Sequence, residues 1–294
     1  MSDVQTYEQA RQTGRAYLSQ HQPGDEVALE VDLLLMAVTE QSRAALLTWP
    51  ERTLTLEEQQ RFDALLKRRM QGEPIAYILG QRAFWGLSLR VTPDTLIPRP
   101  DTELLVETAI DLYQTHGQTH QAWSFLDLGT GSGAIACALK HSLPQCTCTG
   151  VDRSDAALAV ARENAQAHDL DIQWLAGDWF APVTGQRFDC IVANPPYIDP
   201  SDAHLTQGDL RFEPQSALIA ADQGMADLRH IIEQAPFHLK PGGWLVLEHG
   251  YDQQDAMQAC FQPAHWQSPV THKDLGGQPR VTLAQYQPNP KGAS

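Results

Sequence analysis

The run Phe125-Leu126-Asp127-Leu128-Gly129-Thr130-Gly131-Ser132-Gly133 limits what this chain can fold into more than any other stretch. A short apolar segment stops at glycines spaced two apart, and a helical pattern over residues 134–141 follows at once. Glycines at such a junction let the backbone approach a ligand and let the helix pack closely on the strand. The alternation then repeats. A strand over 146–151 ends in Asp152, a helix covers 154–167, a third strand covers 172–176, and Phe188–Ala193 reads as a fourth, buried strand. This order predicts an α/β fold with a mostly parallel sheet and helices on both faces.

In an open α/β sheet, ligands bind beyond the carboxyl ends of the strands, so the residues there are the candidate site. Asp152 follows the glycines by about 20 residues, where such folds bond the hydroxyl pair of a ribose. A nucleoside ligand is therefore expected. Gly129-x-Gly131-x-x-Ala134 also satisfies the relaxed dinucleotide pattern, so the loop alone leaves the cofactor open. After the third strand, Asp178 can bond an adenine amino group while Trp179 stacks on the ring. A turn-capping aspartate and a core tryptophan are the plain alternatives.

The fourth strand delivers Asn194-Pro195-Pro196-Tyr197. Each proline lacks an N–H, has a fixed φ and pushes the residue before it into an extended conformation. The segment is stiff and rich in acceptors. The Asn194 side-chain carbonyl and the adjacent backbone carbonyl can together hold both hydrogens of a planar –NH2 group, with Tyr197 against its face. The nitrogen of an amide or amino-heterocycle is a poor nucleophile, and orienting its lone pair at an electrophile can save ~7–11 kcal/mol of barrier. Asn-Pro also serves simply as a turn at a strand end.

The rest of the chain reads as follows. Residues 1–80 are helical: Tyr7, Ala10, Gly14, Tyr17 and Leu18 share one face, and Val27, Val31, Leu34, Leu35 and Val38 share another. A third helix has a capping box at Thr55 and Glu58, an apolar stripe of Phe62, Leu65, Leu66 and Met70, and a stop at Gly72 and Pro74. We read this part as a recognition module. Residues 81–100 predict a β-hairpin linker around Gly86, and 101–294 the main domain, whose first helix starts at Asp101-Thr102-Glu103. Beyond the Asn-Pro-Pro-Tyr segment, residues 212–224 form an irregular loop suited to wall a pocket. A helix over 225–239, bent near Pro236, precedes a turn at 240–243 and a strand over 244–248. A last helix, 253–261, and strands over 266–273 and 280–287 complete the sheet. Glu248 and His249 look like an acid/base pair, but a hydrogen-bonded strand terminus is the expectation.

Composition narrows the class. With 42% apolar and 19% charged residues in 294, the chain has the make-up of a soluble protein of about two domains. No apolar run reaches a membrane span, and the first 20 residues lack a signal-peptide pattern, so a cytoplasmic location is expected. The five cysteines are odd in number and mostly sit in apolar runs, which favours core packing over metal binding. A net charge of −15 argues against a nucleic-acid substrate, although Lys67-Arg68-Arg69 is a local basic cluster. The plainer account of that cluster is the basic last turn of a helix.

Taken together, Asp127 to Gly133, Asp152 and Asn194-Pro195-Pro196-Tyr197 resemble a class I S-adenosylmethionine-dependent methyltransferase of the amino-methylating kind. More narrowly, Glu73-Pro74-Ile75-Ala76-Tyr77-Ile78-Leu79-Gly80, Leu96-Ile97-Pro98-Arg99-Pro100-Asp101-Thr102-Glu103 and Phe212-Glu213-Pro214 resemble the HemK-type protein-(glutamine-N5) methyltransferases of peptide chain release factors. The resemblance spans nearly the whole chain. It implies a Rossmann-like, mostly parallel seven-stranded sheet, S-adenosyl-L-methionine as cofactor, and the glutamine of the Gly-Gly-Gln loop in class I release factors as substrate. It also implies roles. Gly129, Thr130, Gly131, Ser132, Gly133 and Asp152 would hold the methionyl and ribose parts, Asp178 and Trp179 would border the adenine, and Asn194 with Pro195 would hold the substrate amide beside Pro196 and Tyr197.

Two departures stand out. Asp101 replaces the family's usual glutamate, and the chain contains its own Gly276-Gly277-Gln278. Automethylation there is conceivable, but chance occurrence in a turn is the expectation. The implied reaction is direct in-line transfer to the amide nitrogen, without metal or covalent intermediate and with no evident general base. The first alternative is a nucleic-acid adenine or guanine amino methyltransferase, because the same acceptor pair suits a flipped base. A non-catalytic cofactor-binding protein and a nicotinamide-dependent oxidoreductase are further alternatives.

Overall fold

The computed structural model describes residues 4–20, 26–117, 122–206 and 208–288. The chain forms two compact units, residues 1–80 with 207–212, and residues 81–206 with 213–294.

The smaller unit is helical: α1 (Tyr7–Leu18), α2 (Glu26–Thr39), α3 (Arg43–Thr48), α4 (Leu56–Met70) and α5 (Ile75–Leu79). Capping boxes start α1, through Thr6 and Gln9, and α4, through Thr55 and Glu58. Each satisfies two N–H groups that a helix start otherwise leaves unpaired. Ala10, Leu18, Val31, Leu34, Leu35 and Phe62 close over one another with almost no exposure. Full burial of one such aliphatic side chain is worth ~1.5–3 kcal/mol. Tyr17, expected on the inner face of α1, is 37% exposed, because the buried stripe runs through Ala10, Gly14 and Leu18.

Charge is also buried in this unit. Asp32, 0% exposed, accepts from Arg11 at 2.8 Å and Arg43 at 2.9 Å. The basic run at the end of α4 is largely paired: Arg68 with Glu73, and Arg69 with Glu30 at 2.8 Å and Asp209 at 3.1 Å. Arg69 thereby ties 208–212 to the helices, and Arg211 adds a bond to the Gln71 carbonyl at 3.2 Å. These bonds explain why a segment so far along the chain joins the N-terminal unit.

The larger unit begins with an antiparallel hairpin, β1 (Gln81–Phe84) and β2 (Leu87–Arg90), turning at Trp85 and Gly86, both at positive φ. Such a two-residue turn matches the strand twist. Trp85 is held there by its N–H to Glu103 at 2.8 Å and its ring N–H to Ser142 at 2.7 Å. The hairpin is shorter than expected: residues 91–99 are irregular, and a 3₁₀ turn, Pro100–Thr102, follows. Then come α6 (Glu103–His116), β3 (Ser124–Leu128), α7 (Ala134–Ser142), β4 (Thr147–Asp152), α8 (Asp155–Ala167), β5 (Gln173–Ala176) and β6 (Phe188–Ala193). After a long irregular segment the chain ends with α9 (Ala226–His238), β7 (Leu239–Glu248), α10 (Gln254–Cys260), β8 (Val270–Lys273) and β9 (Pro279–Gln285).

The seven strands lie in the order β5-β4-β3-β6-β7-β9-β8, parallel from β5 through β7, with β9 antiparallel to both neighbours. Alternation along each strand sorts the core into two layers. Phe125, Cys148, Cys190 and Val192 face α6 and α7, whereas Leu126, Leu128, Ile191 and Ala193 face α9 and Met257 of α10. Three local expectations change. The 240–243 turn is a bulge inside β7, since Leu239 pairs with Phe188 and Trp244 with Cys190. Pro236 lies within α9, near enough its end that the helix continues to His238. The strand expected from Trp266 is regular only from Val270, with Trp266 making a single bridge to Tyr286.

Candidate active site

The strand order reverses between β3 and β6, and that is where an open α/β sheet leaves its crevice. A cleft of about 350 Å³ opens there. Gly129 and Gly131 line it from the end of β3, Asp152 from β4, Asp178 and Trp179 from β5, and Asn194 and Pro196 from β6. These are seven of the residues singled out from the sequence.

Left-handed backbone at Gly129 and Gly131 folds the loop against the strand ends. Asp152 holds that loop: its Oδ2 accepts the Gly131 N–H at 2.8 Å, and its Oδ1 accepts the Ser154 N–H at 2.9 Å. A carboxylate has about four acceptor positions, so two remain for a ligand's hydroxyls. Among the described residues no protein donor reaches the Asp178 side chain. Trp179 adopts φ 43, rare for a bulky residue, and a Cβ placed on Gly129 would stand 3.5 Å from its ring.

Thr130, Ser132, Gly133, Pro195 and Tyr197 do not line the cleft. The Thr130 hydroxyl donates to buried Asp127, the Ser132 carbonyl accepts from Asn164 at 2.8 Å, and Gly133 sits where a Cβ would meet Trp174 at 2.8 Å. Their visible engagements are with the fold. Pro195 is buried behind Asn194. The Tyr197 hydroxyl donates to Glu248 at 3.3 Å and its carbonyl accepts from Gln253 at 3.0 Å. Burial and the neighbouring Glu248 push the Tyr197 hydroxyl well up, so it stays protonated as a donor.

Asn194 is held at one end only. Its Nδ2 donates to the Thr102 hydroxyl at 3.1 Å, and no described protein donor engages its Oδ1. Glu248 is 1% exposed at the end of β7. Burial raises its carboxyl to about 7, against the opposing pull of Thr102, Arg280 and Tyr197. His249 is spent on the fold, with one ring nitrogen 2.8 Å from Thr282 and the other 2.8 Å from the Gly250 carbonyl. The Glu248-His249 pair is thus a hydrogen-bonded strand end, away from the cleft lining.

The flanking motifs meet around the site. Glu213 accepts the Ile97 N–H at 2.9 Å and pairs with Arg99, which fixes 97–99 against the loop after β6. Pro214, Ala217 and Ile219 wall the cleft, as the irregular composition suggested. Asp101 stands 3.6 Å from Arg280. Gly276 to Gln278 form an exposed turn between β8 and β9, closed by the Gln278 N–H to Asp274 at 2.9 Å.

Sequence reasoning missed Pro93 to Thr95, Arg153 and Asp227, all of which line the cleft. Asp227 reads in the sequence only as an acid in the first turn of a helix. Burial pushes its carboxyl up; Arg153 draws it back and Asp178 adds to the rise. The cleft thus carries four carboxylates, Asp94, Asp152, Asp178 and Asp227, against one cation, Arg153.

The switch-point cleft, its glycine loop and the seven-stranded order define a class I α/β methyltransferase. A solved methyltransferase from Pyrococcus furiosus shares the fold, with TM-score 0.51 and 18% identity over 76% of this chain and 97% of that one. A family model described as the PrmC N-terminal domain matches residues 9–80, and one described as the methyltransferase small domain matches 102–210. The chain belongs to the release factor glutamine methyltransferase family. It is 49% identical to the Pasteurella multocida release factor glutamine methyltransferase, over 95% of this chain and 98% of that protein. The protein of the same description from Escherichia coli is 48% identical, over 92% and 97%.

Proposed function

We propose that this chain transfers a methyl group from S-adenosyl-L-methionine to the side-chain amide nitrogen of the glutamine in the Gly-Gly-Gln loop of class I release factors, tuning translation termination in the cytoplasm. The observation that carries the reading is Asn194: its amide N–H is tied back to Thr102 and its Oδ1 is left for a substrate at the cleft.

The residues present fit the cofactor. An acid-lined cleft favours a ligand with a cationic centre and a ribose over the pyrophosphate of a dinucleotide. Asp152 would hold the ribose hydroxyls, Gly129 and Gly131 would border the methionyl part, and Asp178 with Trp179 the adenine. Bound there, S-adenosylmethionine supplies an electrophilic methyl group.

The chain's own groups then do the positioning. Asn194 Oδ1 and the adjacent backbone carbonyl accept the two hydrogens of the glutamine amide, which fixes its plane and aims the nitrogen into the cleft. The same acceptors share the positive character that the nitrogen gains. Tyr197, pinned by Glu248 and Gln253, holds the chain beyond the prolines. The amide loses its proton after transfer, and the site needs no strong base.

Pairing of Arg68 and Arg69 with acids, on a body of net charge −15, supports a protein over a nucleic-acid substrate. The helical unit, 1–80, is read as the module that recognises the release factor. The test is methyl transfer from labelled S-adenosylmethionine to a purified release factor, its Gly-Gly-Gln→Gly-Gly-Ala variant and duplex DNA. Label on the intact factor alone supports the reading; label on DNA, or on none, overturns it.

A further inference from the structure

Two walls of the cleft are joined by one side chain that lies behind it. Asn164, on α8 and 2% exposed, is not itself part of the cleft lining. Its Oδ1 accepts the Arg90 N–H at 2.6 Å, and its Nδ2 donates to the Arg90 carbonyl at 3.0 Å and to the Ser132 carbonyl at 2.8 Å. Arg90 ends β2, and Pro93, Asp94 and Thr95 just beyond it line the cleft. Ser132 belongs to the glycine loop, whose Gly129 and Gly131 line the cleft as well.

The residue type follows from its partners. One N–H and two carbonyls call for one acceptor and two donors at a single point, which a side-chain amide supplies in full. A carboxylate there would face two carbonyl oxygens, and an apolar side chain would lose all three bonds. The helix comes close enough because Gly133 has no side chain: a Cβ on it would stand 3.0 Å from the Cβ of Ala161, one turn before Asn164. His168, one turn further on, has a ring nitrogen 2.9 Å from the Ser88 carbonyl, so β2 keeps a second hold on α8. The glycine loop is thus gripped at adjacent residues, its Gly131 N–H by Asp152 at the cleft and its Ser132 carbonyl by Asn164 from behind.

Building on the cofactor placement proposed above, we infer that Asn164 is a positioning residue for S-adenosylmethionine. By holding Arg90 and Ser132 on one amide, it fixes how far the 93–95 wall stands from the glycine loop, and so sets the width of the cleft before the cofactor arrives. Its loss leaves every group that faces the ligand in place and loosens the two segments that carry them. Binding must then close a cleft that the amide otherwise keeps closed.

The test compares wild type with Asn164→Ala and Asn164→Asp on a purified Gly-Gly-Gln release factor, alongside S-adenosylhomocysteine binding by calorimetry. Asn164→Ala is expected to raise KM for S-adenosylmethionine and Kd for S-adenosylhomocysteine by about 10-fold, with kcat at saturating cofactor and KM for the release factor within about twofold. Asn164→Asp keeps an acceptor for Arg90 but no donor for Ser132, and its Kd rises at least as much. The wild type gives a second readout: exchange of the Arg90 N–H, whose acceptor is Asn164, slows together with that of Gly131 to Gly133 when S-adenosylhomocysteine saturates the protein, followed by NMR. An Asn164→Ala enzyme with lowered kcat and unchanged cofactor KM has merely a weakened fold, and overturns the inference. So does an Arg90 N–H whose exchange ignores the ligand, a result that stands even where the variants fail to fold. A wild-type enzyme that binds S-adenosylhomocysteine yet leaves the release factor unlabelled refutes the proposed reaction instead, and Kd and exchange still decide the role of Asn164.

Discussion

Asp152→Asn isolates one carboxylate that both shapes the glycine loop and faces the cleft. In the wild type each oxygen accepts a backbone N–H, Gly131 at 2.8 Å and Ser154 at 2.9 Å. An asparagine has one carbonyl, so one of those N–H groups must face an NH2 instead. Leaving such a donor unmet costs about 1–3 kcal/mol. Removing the charge also weakens the bonds to the ribose hydroxyls, since charge-assisted bonds are about twice as strong as neutral ones, which adds about 1 kcal/mol. The first cost burdens the free protein as well and so lowers stability; the second alone bears on binding, and about 1 kcal/mol corresponds to roughly fivefold weaker binding at 1.4 kcal/mol per decade. Calorimetric titration with S-adenosylhomocysteine at fixed salt measures it, with thermal unfolding run in parallel to confirm an intact fold. A Kd within about twofold of wild type, in a variant that still unfolds in one cooperative transition, would refute the assignment of Asp152.

Three further outcomes are expected. Asn194→Ala lowers kcat by about 100- to 1000-fold while S-adenosylhomocysteine affinity stays within about threefold; a parallel loss of binding would contradict its role as substrate acceptor. Asp32→Ala removes the acceptor that Arg11 and Arg43 share, leaves Arg11 with Glu8 alone and costs about 3 kcal/mol, the lower end for breaking a buried pair because Arg43 is half exposed; hydrogen exchange confined to residues 7–70 reads it out, and unchanged protection there counts against the pairing. Stability depends on pH through Glu248, which faces Tyr197, Arg280, Asp101 and Thr102 and whose carboxyl burial lifts from 4.5 to about 7. Its native pKa is raised, so its contribution falls as pH rises from 4.5 to about 7 and is flat above. Glu248→Gln flattens that part of the profile of unfolding free energy against pH, read by denaturant titration.

How much of this was legible in advance follows from the range of each interaction. Helix starts such as Thr55 with Glu58 are local, closing over three residues, and the sequence displays them directly. The same holds for the glycine loop, Asp152 and the Asn-Pro-Pro-Tyr stiffening, because strand-end position and proline geometry are properties of adjacent residues. Strand lengths were less legible: the 240–243 bulge and the short β8 depend on which neighbour each strand finds.

What the sequence alone determined is therefore the alternating architecture, the end of the sheet that carries the site, and the residue types that present acceptors there. Only the tertiary structure decided which of them face the cleft. Thr130 and Gly133 turn into the packing, while Asp227, 33 positions beyond Asn194 and on α9, lines the cleft. Glu213 reaching Ile97 and Thr102 meeting Asn194 are likewise pairings across 116 and 92 positions. No local pattern encodes such pairs: a buried carboxylate acquires its partners, and its shifted pKa, only when the sheet brings distant strand ends together and excludes water from between them.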